Sequence, residues 1–138
     1  MANPLITNYD RSNTFVWNIR TEVGNYTNST YDDVTLAKGT LMGRIASTNL
    51  LTPLTSGASD GSQFPVGIIL ADTVIEAGDT AEITICVAGD VVADKIVFQG
   101  SDDLDTVVSS RTLRDRIGAD TVGIKLVGDN QLTGYDNQ

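Results

Sequence analysis

The stretch AEITICVAGDVVADKIVF, residues 81–98, decides how this chain folds. Positions 83, 85 and 87 carry isoleucine, isoleucine and valine, while Thr84 and Cys86 fall between them. Alternation with a period of two is typical of a strand that buries one face. Gly89-Asp90 is a turn signal, so the stretch predicts two strands joined at that dipeptide, with another turn at residues 77–79 before them.

The flanking segments extend this β pattern in both directions. Upstream, VTLAKGTLMGRIA (34–46) offers short apolar runs, and NLLTPLTSGASDGSQFP (49–65) is predicted as a loop. The next segment predicts a buried strand over Val66–Leu70, with Pro65 at its start, where a missing N–H costs least. Downstream, TVGIKLVG (121–128) predicts a final strand.

Only the segment 101–120 has a helical pattern. Leu113 and Ile117 lie four residues apart, and Gly118 is placed for a C-terminal cap. Ser109 or Ser110 is a candidate for the N-terminal cap. The chain is therefore predicted to be mostly β, in the α+β class, with one short helix near the C-terminus.

Residues 1–33 differ from the rest because they are polar and lack a sustained apolar pattern. Within them, Phe15, Trp17 and Ile19 fall on one side of an extended chain. This spacing fits an edge strand over the domain's own core, and it fits equally an arm that adds a strand to a partner's sheet. The predicted division is an arm at 1–33, a β-rich domain at 34–128 and a tail at 129–138.

The amino-acid composition of the chain restricts the classes of partner that it can bind. The 138 residues hold 18 acidic and nine basic side chains, a net charge of −9, which disfavours binding to nucleic acid. Cys86 is the only cysteine, so no intramolecular disulfide forms and a buried small side chain is its expected role. No apolar run approaches the roughly 18 residues of a membrane span, and no secretory signal is recognised at the start.

The chain offers few candidate catalytic or metal-binding groups. Without histidine, the histidine-dependent nucleophile systems and imidazole metal ligands are absent. The cluster Asp102, Asp103 and Asp105 lacks the glutamate that a calcium loop needs at its twelfth position, where Leu113 stands. The Gly-rich loop around Asp60-Gly61 has no following lysine, and Ser62 has no base. No cofactor or metal is predicted.

A basic trio is the one positive feature of the chain. On a helix, Arg111 and Arg114 share a face, and Arg116 points away. Ordinary surface or intersubunit pairing with the many acids is the preferred interpretation of Arg111 and Arg114.

The order of these features resembles the bacteriophage head decoration protein family, the lambda-type capsid cement proteins. The segment KGTLMGRI resembles the family's early Gly-containing strand, and NLLTPL its apolar segment. FPVGIIL is similar to the strand that follows the Asp-Gly loop. AEITICVAGDVVADKIVF and RTLRDRIGADTVGIKLV resemble the next hairpin and the C-terminal helix and strand. The resemblance covers Leu36 to Val127.

The resemblance implies a small β-tulip-like domain with a structural role and no catalytic activity. It implies a homotrimer on the outer surface of the virion capsid, made in the host cytoplasm and bound to the major capsid protein at three-fold and quasi-three-fold positions. There it would stabilise the shell against internal DNA pressure. The expected arm anchors are Phe15, Trp17 and Ile19, and deletion of residues 1–33 is expected to leave a folded trimer that does not bind capsids.

Two other function classes remain open at this point. A β-rich carbohydrate-binding or adhesion module of a phage tail or cell surface is the alternative, although aromatic residues make up only 6% of the chain. A hydrolase that uses two carboxylates is the third.

Overall fold

A 13-residue strand at residues 80–92 is the centre of the fold. The structure is a computed structural model that describes residues 16–127. The strands in chain order are β1 Val16–Thr27, β2 Val34–Leu36, β3 Leu41–Arg44, β4 Leu51–Pro53, β5 Pro65–Ile69, β6 Thr73–Ile75, β7 Thr80–Val92, β8 Val107–Val108, β9 Arg111–Thr112 and β10 Gly123–Val127. A single turn of 3₁₀ helix, Ala93–Lys95, follows β7, and helix α1 is Leu113–Asp120. The mostly β prediction is confirmed.

The main sheet has the strand order β1-β7-β5-β3-β4, and β10 also pairs with β7. β1 runs antiparallel along one edge of β7. The other edge is shared by β5, antiparallel at Cys86 and Ile85, and by β10, parallel from Ala88 to Val92. The short ribbons β2–β6 and β8–β9 complete the described elements.

The predicted turn at Gly89-Asp90 is wrong, because β7 passes straight through this dipeptide. Gly89 has φ +127°, and both residues are paired to β10. Glycine at positive φ serves a β-bulge as well as a hairpin turn. The bulge changes the face of the sheet on which the following side chains lie. Ile85 and Val87 pack on one face, whereas Val91 packs on the opposite face. The turn at residues 77–79 is confirmed.

The sheet buries both faces. On one face, Leu41, Ile68 and Cys86 pack with the two buried helix residues, Leu113 and Ile117. We call this the helix-side core. The side chains on the other face are covered by the β2–β6 ribbon, and we call them the ribbon-side core: Leu36, Met42, Leu51, Ile69, Ile75, Ile83, Ile85 and Val87. Cys86 is a buried free cysteine, as expected.

The sheet curls until its two end strands meet. A Cβ on Gly24 of β1 would lie 2.5 Å from Leu51 Cδ1 of β4, although three strands separate β1 from β4 in the sheet. Leu51 is fully buried in the ribbon-side core. Glycine at position 24 thus permits the close approach that closes the curl.

Helix α1 begins later than predicted. Thr112, and neither Ser109 nor Ser110, is its N-cap, and the Thr112 hydroxyl accepts a hydrogen bond from the Asp115 N–H. The two serines form the two-residue turn of the β8–β9 hairpin, with φ +48° and +74°, as a type I′ turn requires. Gly118 lies inside the helix, and the C-cap is Thr121, so the predicted glycine cap is also wrong.

For the N-terminal segment, the structure shows the first of the two interpretations over Val16–Thr27, an edge strand of the chain's own sheet. The next residue, Asn28, is fully buried, and its Nδ2 donates to the carbonyl oxygens of Asp32 and Ile75. These contacts make the segment after β1 part of the domain as well. An arm that leaves the domain stays a prediction, and Phe15 and the predicted tail 129–138 lie outside the described residues.

Candidate functional site

The Gly-rich loop between β4 and β5 is built as a support for the sheet. Asp60 Oδ1 accepts hydrogen bonds from the Ser62 hydroxyl at 2.6 Å and from the Ser62 N–H at 3.0 Å. These bonds, the hydroxyl first, hold the pKa of the Asp60 carboxyl below its ordinary value. A Cβ on Gly43 of β3 would collide with the Ser62 carbonyl oxygen, so the loop lies directly on the sheet. Ser62 itself is buried and serves the turn.

The acidic cluster at residues 102–105 also serves turn geometry. The Asp102 carboxylate accepts from the Ser56 N–H at 2.9 Å and from the Ser56 hydroxyl at 2.6 Å, which ties this segment to the Gly-rich loop. Asp103 Oδ1 accepts from the Asp105 N–H at 2.8 Å. Over the described residues, 16–127, no group of three or more potential His, Cys, Asp or Glu ligands is arranged to hold a metal ion.

The three arginines are divided between two elements. Arg111 lies in β9 and is exposed, while Arg114 lies in the first turn of α1 and pairs with Asp105 at 3.7 Å between two exposed side chains. The prediction that Arg111 and Arg114 share a helical face is therefore wrong, because the Thr112 cap starts the helix after Arg111. Both side chains nonetheless remain on the surface.

Arg116 has a structural role that the sequence did not reveal. Its Nε donates to the Val108 carbonyl oxygen at 2.6 Å, and one terminal nitrogen donates to the Ser109 carbonyl oxygen at 2.9 Å. The other terminal nitrogen pairs with Asp120 at 3.1 Å, and the guanidinium lies over the Phe64 ring, 4.8 Å from its centroid. The fork of donors thus fastens the β8–β9 turn to α1.

The outer edge of β1 is a long strand edge without a paired strand in the described chain. β1 has 12 residues and stands at the end of the sheet order, so its second edge pairs with no strand within residues 16–127. Among the side chains of β1 that the structure describes, Ile19 is exposed, with 41% of its surface accessible, and so is Val23, with 55%. A long edge with exposed apolar side chains is a template for pairing with another chain.

Of the three predicted arm residues, two fall within the described chain, and both are in β1. Trp17 pairs through its backbone with Asp90, and Ile19 is exposed. Val23 was missed by the sequence interpretation, although it continues the odd-numbered apolar positions of the same segment.

The pairing of β1 with β7 is irregular at Asn18–Arg20. Val16 and Trp17 pair with Val91 and Asp90, Arg20 pairs with Ala88 between two register shifts, and regular pairing resumes from Thr21 opposite Cys86. Asn18 has φ +51°, a left-handed conformation that asparagine tolerates better than most residues. The irregularity faces Gly89, so both strands are distorted at the same level.

Comparison with protein-family models gives a match over residues 22–109, more than half of the chain, to bacteriophage lambda head decoration protein D. The chain belongs to this family. A search of curated proteins found no match to the chain.

The matched range runs from β1 to the start of the β8–β9 turn. It begins at Glu22, just after the interruption in β1, and it includes β7 and the Gly-rich loop. Helix α1 and β10 lie beyond it. The match therefore covers the strand path β1-β7-β5-β3-β4 of the main sheet without β10, with Glu22–Thr27 as the matched part of β1.

Family membership gives the decoration protein a structural role at the outer surface of a phage capsid. The family is one of structural capsid proteins. Among the residues whose positions are described, no helix has the length and apolar character that a membrane crossing requires.

Proposed function

We propose that this decoration protein binds the outside of the expanded phage head as a homotrimer at three-fold and quasi-three-fold positions. There it holds neighbouring major capsid subunits together against the pressure of packaged DNA. It works without cofactor or catalysis, by adding contacts between subunits that the shell already contains. Family membership supports the capsid as the partner.

The observation that carries this proposal is the outer edge of β1 ahead of Gly24, the point that β4 approaches, which pairs with no strand within residues 16–127. An exposed strand edge binds an extended segment of a partner through main-chain hydrogen bonds, and side chains on alternate positions add specificity. Ile19 and Val23 supply apolar contacts on this strand. Trp17, in the same strand, is assigned to the same contact, and so is Phe15, which precedes the described residues.

The charge of the chain supports a place outside the shell. A net charge of −9 repels the phosphate backbone, so the protein gains nothing from contact with packaged DNA. We assign the exposed Arg111 and Arg114 to contacts with acidic side chains of a neighbouring copy in the trimer. Exposed ion pairs of this kind contribute about 1 kcal/mol or less each, so they orient the copies more than they bind them.

Weak individual contacts suffice on a symmetric shell. A trimer that engages several capsid subunits at once converts later contacts into intramolecular events, which raises the overall affinity without new contacts. Three copies of the β1 edge around one axis would act in this way.

The experiment mixes the purified protein with expanded and with unexpanded heads that lack it, and measures bound protein after sedimentation. We expect saturable binding to expanded heads, at a stoichiometry that is a multiple of three per site. Val23→Ser is expected to weaken binding at least tenfold, because it removes an apolar contact and lowers β propensity at the pairing edge.

The matched control is Val74→Ser. Val74 is a strand valine of similar exposure, 62% against 55% for Val23, but it lies on β6 in the ribbon. Equal loss of binding in both variants, or none in Val23→Ser, would remove the β1 edge from the contact. Failure of the unaltered protein to bind expanded heads would refute the proposed function.

A further inference from the structure

A groove of about 300 Å³ lies next to the point where β1 and β4 meet. It is lined by residues 34–37, which are β2 and the residue after it, and by Thr52 and Pro53 of β4. Residues 97–99 and Tyr26, near the end of β1, complete the lining. The volume is at the lower end of the range for binding sites, so the groove suits a short segment.

The groove runs along the edges of β2 and β4. Successive side chains of a strand point to opposite faces, so a groove against one face would meet only every second residue. Residues 34–37 line this groove without a gap. Within residues 16–127, β2 pairs only with β6 and β4 only with β3, and no residue of β3 or β6 lines the groove. The groove therefore lies on the side of β2 and β4 that has no paired strand.

The segment that follows β7 adds a third edge. The Val97 N–H donates to the Gly39 carbonyl oxygen at 2.9 Å, and the Val97 carbonyl oxygen accepts from the Leu41 N–H at 3.0 Å. Main-chain groups of an extended chain alternate between its two edges, so those of Phe98 turn away from this pairing. Phe98 and Gln99 both line the groove. Three short strand edges thus meet at one groove, and unpaired edges are templates for an added strand.

The lining of the groove is uncharged, although the chain has a net charge of −9. Its polar side chains are threonines and Gln99, and its apolar side chains include Val34 and Val97. A charged segment would lose hydration in such a groove without gaining a partner. An extended segment of neutral polar and apolar residues is therefore the occupant that the lining fits.

The C-terminal segment of the chain starts close to this groove. β10 runs parallel to β7 and ends at Val127, which pairs with Val92. Beyond Val92, the chain reaches the groove at Val97. These five residues span at most about 18 Å, and the 3₁₀ turn among them shortens the path. Five extended residues after Val127 cover the same distance, which brings Leu132 within reach of the groove.

The sequence of this segment matches the lining. Residues 131–135, QLTGY, are uncharged and combine neutral polar residues with Leu132 and Tyr135. The acidic residues Asp129 and Asp136 lie on either side of this run, so they stay outside the groove when the run is inside it.

We propose that residues 131–135 occupy the groove of their own chain as an added strand. Main-chain hydrogen bonds to the open edges bind the segment, and its side chains select the register. Leu132 and Tyr135 lie on opposite faces of the added strand, next to the margins of the two cores to which Tyr26 and Phe98 belong. The segment thereby protects three strand edges from pairing with other chains. This inference does not depend on the proposed function.

The N-terminal segment is the competing occupant, because Val16 pairs with Val91 and also lies near the end of β7. Its apolar run, residues 4–6, lies ten or more residues before β1, and Asp10 and Arg11 stand between them. A shorter connection loses less chain entropy when it closes, which favours the C-terminal segment.

The direct test measures nuclear Overhauser contacts in the full-length protein with labelled methyl groups. We expect contacts from the Leu132 methyl groups to those of Val34 or Val97. Absence of any contact between Leu132 and the groove would overturn the proposal. In a mixture of two differently labelled samples, contacts that arise only between copies would overturn the assignment to the same chain.

A matched pair of variants tests occupancy by hydrogen exchange. Leu132→Ser with Tyr135→Ser removes the apolar side chains of the C-terminal run, and Leu5→Ser with Ile6→Ser does the same to the N-terminal run. We expect at least one amide of residues 34–37 or 97–99 to exchange at least tenfold faster in the first variant and unchanged in the second. Unchanged exchange in the first variant, or faster exchange only in the second, would overturn the proposal.

Discussion

Two strands flank the end of β7, and they are secured by different means. β10 runs along one side of Ala88–Val92, and the start of β1, Val16–Trp17, pairs with the other side at Asp90 and Val91. Ile124 of β10 is only 3% exposed and packs with helix α1 in the helix-side core, whereas Ile19 of β1 is 41% exposed. Both segments pair with β7, so pairing alone does not fix a strand. A strand is fixed in place when side chains of a second layer also cover it.

The same comparison holds within β1. Thr21–Thr27 is covered by Leu51 and the ribbon-side core, whereas Val16, at the start of the strand, packs on the margin of the helix-side core. The later residues of β1 are thus built into the closed sheet, and Val16 lies at its margin. The predictions below test this difference.

Two N-terminal deletions should give the largest contrast. Deletion of residues 1–27 removes all of β1, uncovers Leu51 and bares one whole edge of β7, so we expect loss of cooperative thermal unfolding. Deletion of residues 1–17 should leave a cooperative transition, because Thr21–Thr27 still pairs with β7. Circular dichroism melts measure both. A cooperative transition after the longer deletion would show that β1 is dispensable for folding.

The two isoleucines provide a matched substitution. Ile124→Ala should lower the free energy of unfolding by about 3 kcal/mol, since it leaves a cavity in the helix-side core. Ile19→Ala should change it by less than about 0.5 kcal/mol, as is usual for exposed positions. Urea denaturation gives both values. Similar losses in the two variants would contradict the difference between the strands.

Gly24→Ala tests the contact that closes the curled sheet. The added methyl group would overlap Leu51, and we expect a loss of about 2 kcal/mol, in the range of overpacked sites. In a Leu51→Ala background the overlap disappears, and the same substitution should be neutral or stabilising, because alanine has less chain entropy to lose than glycine. A double-mutant cycle measures this coupling. Equal costs in both backgrounds would exclude the Gly24–Leu51 contact as the cause.

Substitutions of Asn18 should have the smallest effects on stability. Asn18→Gly is expected to change stability by less than about 0.5 kcal/mol, because glycine adopts positive φ readily. Asn18→Val should cost about 1 kcal/mol, since a β-branched residue is strained there. Denaturation of the two variants side by side is the measurement. A gain in stability from valine would indicate a regular extended strand at this position.

Much of the sheet was predictable because its signals are local. Pro65 marks the start of β5, the alternation at Ile83 and Ile85 marks β7, and the final strand β10 follows its apolar pattern. The burial of Leu113 and Ile117 was also predicted by their helical spacing. The order of these segments was sufficient to indicate the family.

The errors arose where one local signal serves two structures. Gly89 at positive φ fits both a hairpin turn and a bulge, and the two neighbours of β7 decide between them. Ser109 and Ser110 suit a helix cap or a tight turn, and the β8–β9 pairing selects the turn. The function of Arg116 depends on carbonyl groups presented by the hairpin, so no periodicity in its own segment could reveal it.

The candidate site was harder to predict than the fold. Alternation in the segment around Trp17 and Ile19 predicts an extended chain, but it does not identify the strand with which that chain pairs. The partner, β7, lies more than 60 residues away, and the interruption at Asn18 becomes visible only in the paired strands. The exposed edge that carries the proposed function is therefore a property of the assembled sheet.

The most direct test of the account is a reconstruction by electron cryo-microscopy of expanded heads saturated with the purified protein, beside unexpanded heads treated identically. We expect density for the protein on the outer surface at the three-fold and quasi-three-fold positions of expanded heads, with β1 at the contact with the capsid protein. Expanded heads without added density, or with density on the inner surface, would contradict it.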